Sequence, residues 1–182
     1  MICGCSNPLG SLFIDLDIQN YEIPDLERFF RLDTSLMYDA TDVELKETEI
    51  RALLLSTGHI EKQFKRLIPK RHQIQYDRAK KTPFVIGDTC FSTLTINYNW
   101  RTALHKDAGD LKEGYGNLVV LEEGRYKGGC TGFPQFGVCV DVRNGDFLAM
   151  DVHEWHCNTK LKPIDKDYAR VSLVAYLREK ML

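Results

Sequence analysis

The feature that most limits what this chain can fold into is a period-two alternation that begins near residue 82 and continues towards the C-terminus. Short runs rich in β-branched and aromatic residues occupy 91–98, 118–122, 138–142, 147–152 and 170–177. Between them stand Gly114-Tyr-Gly116, Gly124, Gly128-Gly129, Gly132, Gly137 and Asn144-Gly145, where the chain can reverse. Many short strands at near-regular spacing imply a sandwich or barrel, since an isolated hairpin buries too little to be stable.

The first 81 residues follow another pattern. A strand-like opening at 11–18 precedes Pro24, after which 25–31 could form a short helix. Ile60, Phe64, Leu67 and Ile68 follow the i, i+4, i+7, i+8 spacing of an amphipathic helix, which Pro69 interrupts. Helices early and strands late give an α+β chain in which helices buttress one face of a β jelly roll. No repeat or Gly/Ser/Pro-rich linker divides it, so one domain is expected over 1–182, with 1–81 as helical, basic support and 82–182 as the jelly-roll core.

Composition narrows the function classes. With 182 residues, 43% apolar and 27% charged, the chain should bury about 70% of its unfolded surface and needs no disulfide or metal merely to fold. The longest aliphatic runs, Ala52-Leu-Leu-Leu55 and Leu118-Val-Val-Leu121, fall far short of the roughly 20 residues that cross a bilayer. The opening Met-Ile-Cys-Gly-Cys-Ser has neither a basic nor an apolar leader region, so a cytoplasmic location is expected, host cytoplasm if the source is viral. The six cysteines, at 3, 5, 90, 130, 139 and 157, form no C-x-x-C pair and are expected as free thiols. Cys3 and Cys5 could clip a soft metal but have no matching second pair.

The net charge of −2 conceals an uneven distribution: −7 over residues 1–58, +6 over 59–81 and −1 over 82–182. The basic stretch contains Lys62, Lys65, Arg66, Lys70, Arg71, Arg78, Lys80 and Lys81. In isolation it reads as a solvated helix face; in a protein acting on nucleic acid, the same cations are candidate contacts to the phosphate backbone. His59 and His72 lie in this region and read as surface residues.

The chemistry concentrates later. His105-Lys-Asp107 is an H-x-D, and residues i and i+2 on extended backbone project to one side, where an imidazole and a carboxylate can share a metal. A third ligand could come from His153 or His156, about fifty residues on. Two imidazoles and a carboxylate on one face of an octahedron leave three positions open, which suits non-haem Fe(II); a catalytic zinc would accept the same donors. Arg170, at the head of an apolar strand with Ser172 pointing the same way, is suited to hold the distal carboxylate of a keto-diacid while its keto-acid end chelates iron.

The order H-x-D, then Gly145-Asp146 with His156 ten residues after the Asp, then Arg170-x-Ser172, resembles the Fe(II)/2-oxoglutarate-dependent dioxygenases, built on a cupin-like double-stranded β-helix. Asn97-Tyr-Asn-Trp-Arg-Thr-Ala-Leu-His-Lys-Asp-Ala-Gly-Asp110, with Asp151-Val-His-Glu-Trp-His-Cys-Asn-Thr159, more narrowly resembles the ten-eleven-translocation and base-J-binding-protein (TET/JBP) branch, particularly small phage-type members. The resemblance covers roughly 90–180. It implies that His105, Asp107 and His156 hold iron and that Arg170, with Ser172, holds 2-oxoglutarate. His156 is preferred to His153 on family spacing, which leaves His153 as a second-layer or substrate-facing group. Neither the cysteine-rich zinc module of the animal enzymes nor the separate DNA-binding domain of the base-J proteins is expected from residues 1–182.

The implied reaction consumes O₂ and 2-oxoglutarate and hydroxylates the C5 methyl of a DNA pyrimidine, with ascorbate expected to stimulate. The expected conversion is 5-methylcytosine to 5-hydroxymethylcytosine in methylated duplex DNA, with thymine to 5-hydroxymethyluracil as the alternative. Asn97, Trp100, His153 and Trp155 are the candidate substrate contacts; Trp100, Trp155, Tyr115 and Tyr126 could stack on an extruded base. No membrane and no obligate protein partner are expected. Two other readings compete: the same chemistry on a protein side chain or small molecule, and a non-catalytic jelly-roll binding module.

Overall fold

The computed structural model describes the backbone of residues 5–7, 11–14 and 47–182, with side chains from residue 55 onward. The short helix expected at 25–31, the end of the 11–18 strand and the Cys3/Cys5 clip lie outside the described residues.

Two helices, α1 (Glu47–Leu67) and α2 (Pro69–Ala79), open the continuous stretch from residue 47. The break between them follows from proline. The Ile68 N–H still reaches the Phe64 carbonyl at 2.9 Å, but Pro69 has no N–H to continue the ladder. Pro69 therefore does more than interrupt a helix, because it also occupies the first turn of the next one, where a missing N–H costs nothing.

Among the described residues eleven strands flank them: β1 (Cys5–Asn7), β2 (Ser11–Ile14), β3 (Thr93–Tyr98), β4 (Gly116–Glu123), β5 (Tyr126–Lys127), β6 (Thr131–Phe133), β7 (Val138–Val140), β8 (Phe147–Met150), β9 (Cys157–Asn158), β10 (Lys162–Pro163) and β11 (Ala169–Tyr176). A main antiparallel sheet runs β1-β2-β3-β11-β4-β8, and a small sheet runs β7-β6-β9. β5 and β10 form a separate ribbon. This is the jelly-roll, α+β architecture expected from the alternation. Of the two- and three-residue strands, β7 alone falls in a run read from the sequence; the others carried no periodic signal.

Alternation divides the main sheet into two faces. Leu94 and Ile96 of β3, with Val171, Leu173 and Ala175 of β11, join Ile60, Phe64 and Ala79 of the helices in one buried cluster. Thr95 and Asn97 of β3, with Arg170, Ser172, Val174 and Tyr176 of β11, line a cavity on the other side. Thr131 and Asn158, from the small sheet, line it as well. The helices thus seal one face by apolar burial, worth about 1.5–3 kcal/mol per large side chain, and leave the other for chemistry.

His72 departs from the surface position expected of it. It is 3% exposed, stacks on Tyr76 with ring centroids 5.7 Å apart, and lies 2.5 Å from Glu61 Oε1. The second helix turns it inward, an orientation that a basic sequence context hides. His59 is exposed.

Candidate active site

The chain leaves β3 at Asn99 and passes through 100–110 before entering β4. Within that passage His105 forms an isolated antiparallel bridge with His156, each N–H donating to the other's carbonyl at 3.0 Å. The Asp107 N–H donates to the Val152 carbonyl at 2.9 Å. These bonds lay the H-x-D beside the chain entering β9, so the sequence separation of about fifty residues closes to adjacent strands. A cross-strand pair puts its side chains on one side of the ladder. The two imidazole centroids accordingly stand 4.2 Å apart.

Hydrogen bonding sets the tautomers. His105 Nδ1 lies 2.8 Å from the Ala103 carbonyl, and His156 Nδ1 lies 2.9 Å from the Glu154 carbonyl. A carbonyl only accepts, so each Nδ1 carries the proton and each Nε2 is left with a lone pair to offer. Both Nε2 atoms face Asp107, at 3.2 Å from its Oδ1 for His105 and 3.8 Å from its Oδ2 for His156. The three donor atoms all lie within 4.8 Å of one another. Contact with Asp107 raises the His105 pKa, while burial lowers that of His156. His153 is turned elsewhere, with Nδ1 3.1 Å from Asp151 Oδ1 and Nε2 3.3 Å from the Asp110 carbonyl.

The cavity beside this triad has a volume of about 410 Å³. Arg170 enters it 2% exposed, with Nη2 donating to the Gly129 carbonyl at 3.2 Å and Nε without any hydrogen-bond partner. Burial lowers its pKa, the sign of a cation held away from water. A buried guanidinium with an unused N–H needs an anion, and a carboxylate answers that need bidentately. Gly129 makes the space: at φ +75 it accepts a backbone conformation side chains avoid, and a Cβ there would meet Arg170 Nε at 3.0 Å. The residues therefore fit both groups that the chemistry requires. The two-nitrogen, one-oxygen set with its open side suits Fe(II), and Arg170 with Ser172, 6% exposed in the same cavity, suits the far carboxylate of 2-oxoglutarate.

Of the candidate substrate contacts, Asn97 and Trp100 line the cavity, whereas His153 and Trp155 do not. Trp155 is 46% exposed, with the Lys106 ammonium 5.5 Å from its ring centre. Tyr115 stacks against Phe64 on the helix side, and Tyr126 is buried beside Tyr168. Lys62, Lys65, Arg66 and Lys70 are exposed on helices that pack behind the main sheet, on the face opposite the cavity. Arg71 covers the Tyr115 ring at 5.2 Å.

Asp110 and Arg178 carry no mark in the sequence that sets them apart. They are partners in an isolated antiparallel bridge, and both line the cavity. Asp110 is 8% exposed; burial, reinforced by Asp107 and opposed by Arg178, pushes its carboxyl up to about 8. Tyr176 also lines the cavity, its hydroxyl pushed up to about 12 by burial. Tyr176 and Val174 could have been found by counting every second residue from Arg170 along β11. Asp110 had no such signal, since only the bridge to Arg178 brings it in.

Behind the sheet, Glu61, His72 and Cys90 also gather three ligand-type atoms within 4.8 Å. There the carboxylate is already engaged: Glu61 Oε1 takes His72 Nε2 at 2.5 Å, and Oε2 accepts the Cys90 N–H at 3.1 Å. Burial and Glu61 hold the Cys90 thiol firmly protonated. The group ties α1, α2 and the approach to β3 together.

Residues 31–179 match the family model Tet_JBP, the oxygenase domain of the 2OGFeDO superfamily. The chain belongs to this family. Among curated relatives, thymine dioxygenase JBP1-B of Trypanosoma cruzi (strain CL Brener) is 39% identical over 117 residues, 63% of this chain and 14% of the relative. Thymine dioxygenase JBP1 of Trypanosoma brucei brucei is 35% identical over 153 residues, 78% of this chain and 18% of the relative. The bifunctional helicase and thymine dioxygenase JBP2 of Leishmania braziliensis is 33% identical over 120 residues, covering 66% of this chain and 11% of that protein. The chain thus spans less than a fifth of the length of these relatives. A solved structure of NgTET1 in complex with 5mC DNA shares the fold, with a TM-score of 0.57 at 13% identity over 70% of this chain and 49% of that one. This Tet_JBP oxygenase domain therefore joins the family's double-stranded β-helix to the triad and buried arginine just described.

Proposed function

We propose that this domain hydroxylates the C5 methyl group of a pyrimidine in DNA, converting 5-methylcytosine to 5-hydroxymethylcytosine. The observation that carries the reading is the meeting, in one 410 Å³ cavity, of the His105, Asp107, His156 donor set with the buried, under-bonded guanidinium of Arg170. Bound Fe(II) with 2-oxoglutarate supplies the oxidising chemistry: one O₂ is consumed, 2-oxoglutarate becomes succinate and CO₂, and one oxygen atom enters the methyl C–H bond.

The chain's own residues do the rest. His105 and His156 present Nε2, held by the Ala103 and Glu154 carbonyls, and Asp107 completes the donor face. Arg170 fixes the distal carboxylate of the cosubstrate, with Ser172 beside it, and so sets which way its keto-acid end points. A base inside a duplex cannot reach such a cavity, so it must be extruded from the stack. Asp110 and Arg178 offer hydrogen-bonding groups to its Watson–Crick edge.

Thymine is the second reading, favoured by the relatives at 33–39% identity that are thymine dioxygenases. Both bases carry a C5 methyl and both can pair with a donor and an acceptor. Mass spectrometry of nucleosides decides between them, after incubating methylated and unmethylated duplex DNA with the protein, Fe(II), 2-oxoglutarate and ascorbate. 5-Hydroxymethylcytosine from methylated DNA supports the proposal. 5-Hydroxymethyluracil from either DNA, without it, replaces cytosine by thymine. No oxidised base from either DNA, with 2-oxoglutarate still turned over, moves the substrate outside DNA.

A further inference from the structure

Asn99 stands where two functional segments part. It is the only non-glycine among the described residues with a positive φ, at 47°. β3 pairs with β11 in a register that ends at Tyr98 opposite Val171, so Asn99 falls opposite Arg170. Its N–H donates to the Arg170 carbonyl at 2.8 Å, as an antiparallel ladder requires. The return bond is different. The Arg170 N–H donates to the side-chain Oδ1 of Asn99 at 2.8 Å, and not to its main-chain carbonyl. The amide Nδ2 of Asn99 then donates to the Tyr168 carbonyl at 3.3 Å, two residues before Arg170.

The geometry has a simple cause. The left-handed conformation swings the main-chain carbonyl of Asn99 off the ladder, and the side-chain carbonyl takes its place. Asparagine is the side chain that best combines tolerance of positive φ with a carbonyl at that reach. The substitution lets the chain turn out of β3 towards Trp100, Thr102 and the H-x-D, all of which line the cavity. It does so while Arg170 stays fully paired on its β3 side. One residue therefore fixes the backbone that carries the cosubstrate arginine and launches the segment that carries two metal donors.

We propose that Asn99 is a positioning residue that aims Arg170 at the distal carboxylate of 2-oxoglutarate. The inference rests on the proposed function, because it assumes that Arg170 receives that carboxylate. Its side chain does not line the cavity; it acts through the main chain of Arg170. Losing it lets the first residue of a strand drift, and a bidentate contact made by a planar guanidinium is sensitive to such drift.

The test is calorimetric and needs no turnover. Mn(II)-loaded wild type, Asn99→Ala and Asn99→Gly are titrated with 2-oxoglutarate and, separately, with oxalate, which chelates the metal but has no distal carboxylate. Glycine tolerates φ 47° without strain, so Asn99→Gly keeps the turn and removes only the side-chain bonds, even if Asn99→Ala fails to fold. The expected result is that Asn99→Gly weakens 2-oxoglutarate by about tenfold, the affinity that one hydrogen bond supplies, while oxalate stays within about twofold. Wild-type affinity for 2-oxoglutarate in Asn99→Gly, or an equal loss of oxalate, overturns the inference and leaves Asn99 as a turn residue. A wild-type protein that binds oxalate but not 2-oxoglutarate overturns the proposed function itself.

Discussion

On β11, Val171, Leu173 and Ala175 point to the helices, while Arg170, Ser172, Val174 and Tyr176, one position out of step, line the cavity. The same contrast holds on β3, where Leu94 and Ile96 face the helices and Thr95 and Asn97 the cavity. The helix face is held by dispersion and water exclusion, which ask only for apolar volume. The cavity face keeps a guanidinium, a serine and a tyrosine out of bulk water, which is unfavourable unless a ligand or a neighbour satisfies them. The larger apolar cluster and the chemistry therefore sit on opposite sides of a single layer of backbone, with a smaller cluster of Leu118, Val120 and Val142 beside the cavity, and substitutions on the two faces should fail in different ways.

The largest effect is expected on the cavity face. His105→Ala, Asp107→Ala or His156→Ala should each reduce Fe(II)-dependent conversion of 2-oxoglutarate to succinate by at least about a thousandfold, since metal chelation and the chemistry it supports are worth several kcal/mol. Melting of the metal-free protein should change little, because none of the three belongs to either buried apolar cluster. His153→Ala should keep most of the turnover; loss there with survival of His156→Ala would exchange their roles.

The helix face should give the mirror image. Phe64 is fully buried and packs on Phe91, so Phe64→Ala should cost about 3–5 kcal/mol in denaturant unfolding. The fraction that remains folded should bind 2-oxoglutarate with unchanged affinity. A weakened cosubstrate site in that folded fraction would mean that the two faces are coupled through the strands.

Asp110 supplies a smaller effect with a defined sign. Its folded pKa of about 8 lies above the ordinary carboxylate value of 3.8, so between those pH values the native state keeps a proton the unfolded chain has lost. Wild-type stability in metal-free protein should then fall as pH rises from about 4 to 8, by an amount on the order of a few kcal/mol. Asp110→Asn should flatten that slope and be the more stable protein at pH 8.5 in urea titrations. Parallel curves at both ends of the range would show that Arg178 neutralises Asp110 in the folded state.

The smallest effect concerns duplex binding. Lys106 lines the cavity and Arg101 is exposed between two cavity-lining residues, whereas Lys62, Lys65 and Arg66 are exposed behind the sheet. Replacing Arg101 and Lys106 by Gln should lower the slope of log K against log salt by roughly 0.9 for each phosphate that is no longer neutralised. The Lys62, Lys65, Arg66 triple change to Gln should move that slope less. An equal or larger change from the helix triple would mean that DNA wraps around to the far face.

Much of this protein is written in local pattern. Alternation announced the jelly roll, the apolar spacing from Ile60 to Ile68 announced a helix, and the pairs His105/Asp107 and Arg170/Ser172 stood out because a strand shows every second residue to the same side, while His156 joined them only through the resemblance to the family's spacing. Such signals survive in one dimension because backbone geometry repeats. The inward turn of His72, the bridge that brings Asp110 to Arg178, and the placing of the basic helices behind the sheet were decided only by the tertiary structure. Each depends on which segments meet in space. That meeting is fixed by the packing of whole elements and by the pairing of buried polar groups, neither of which has a period along the chain.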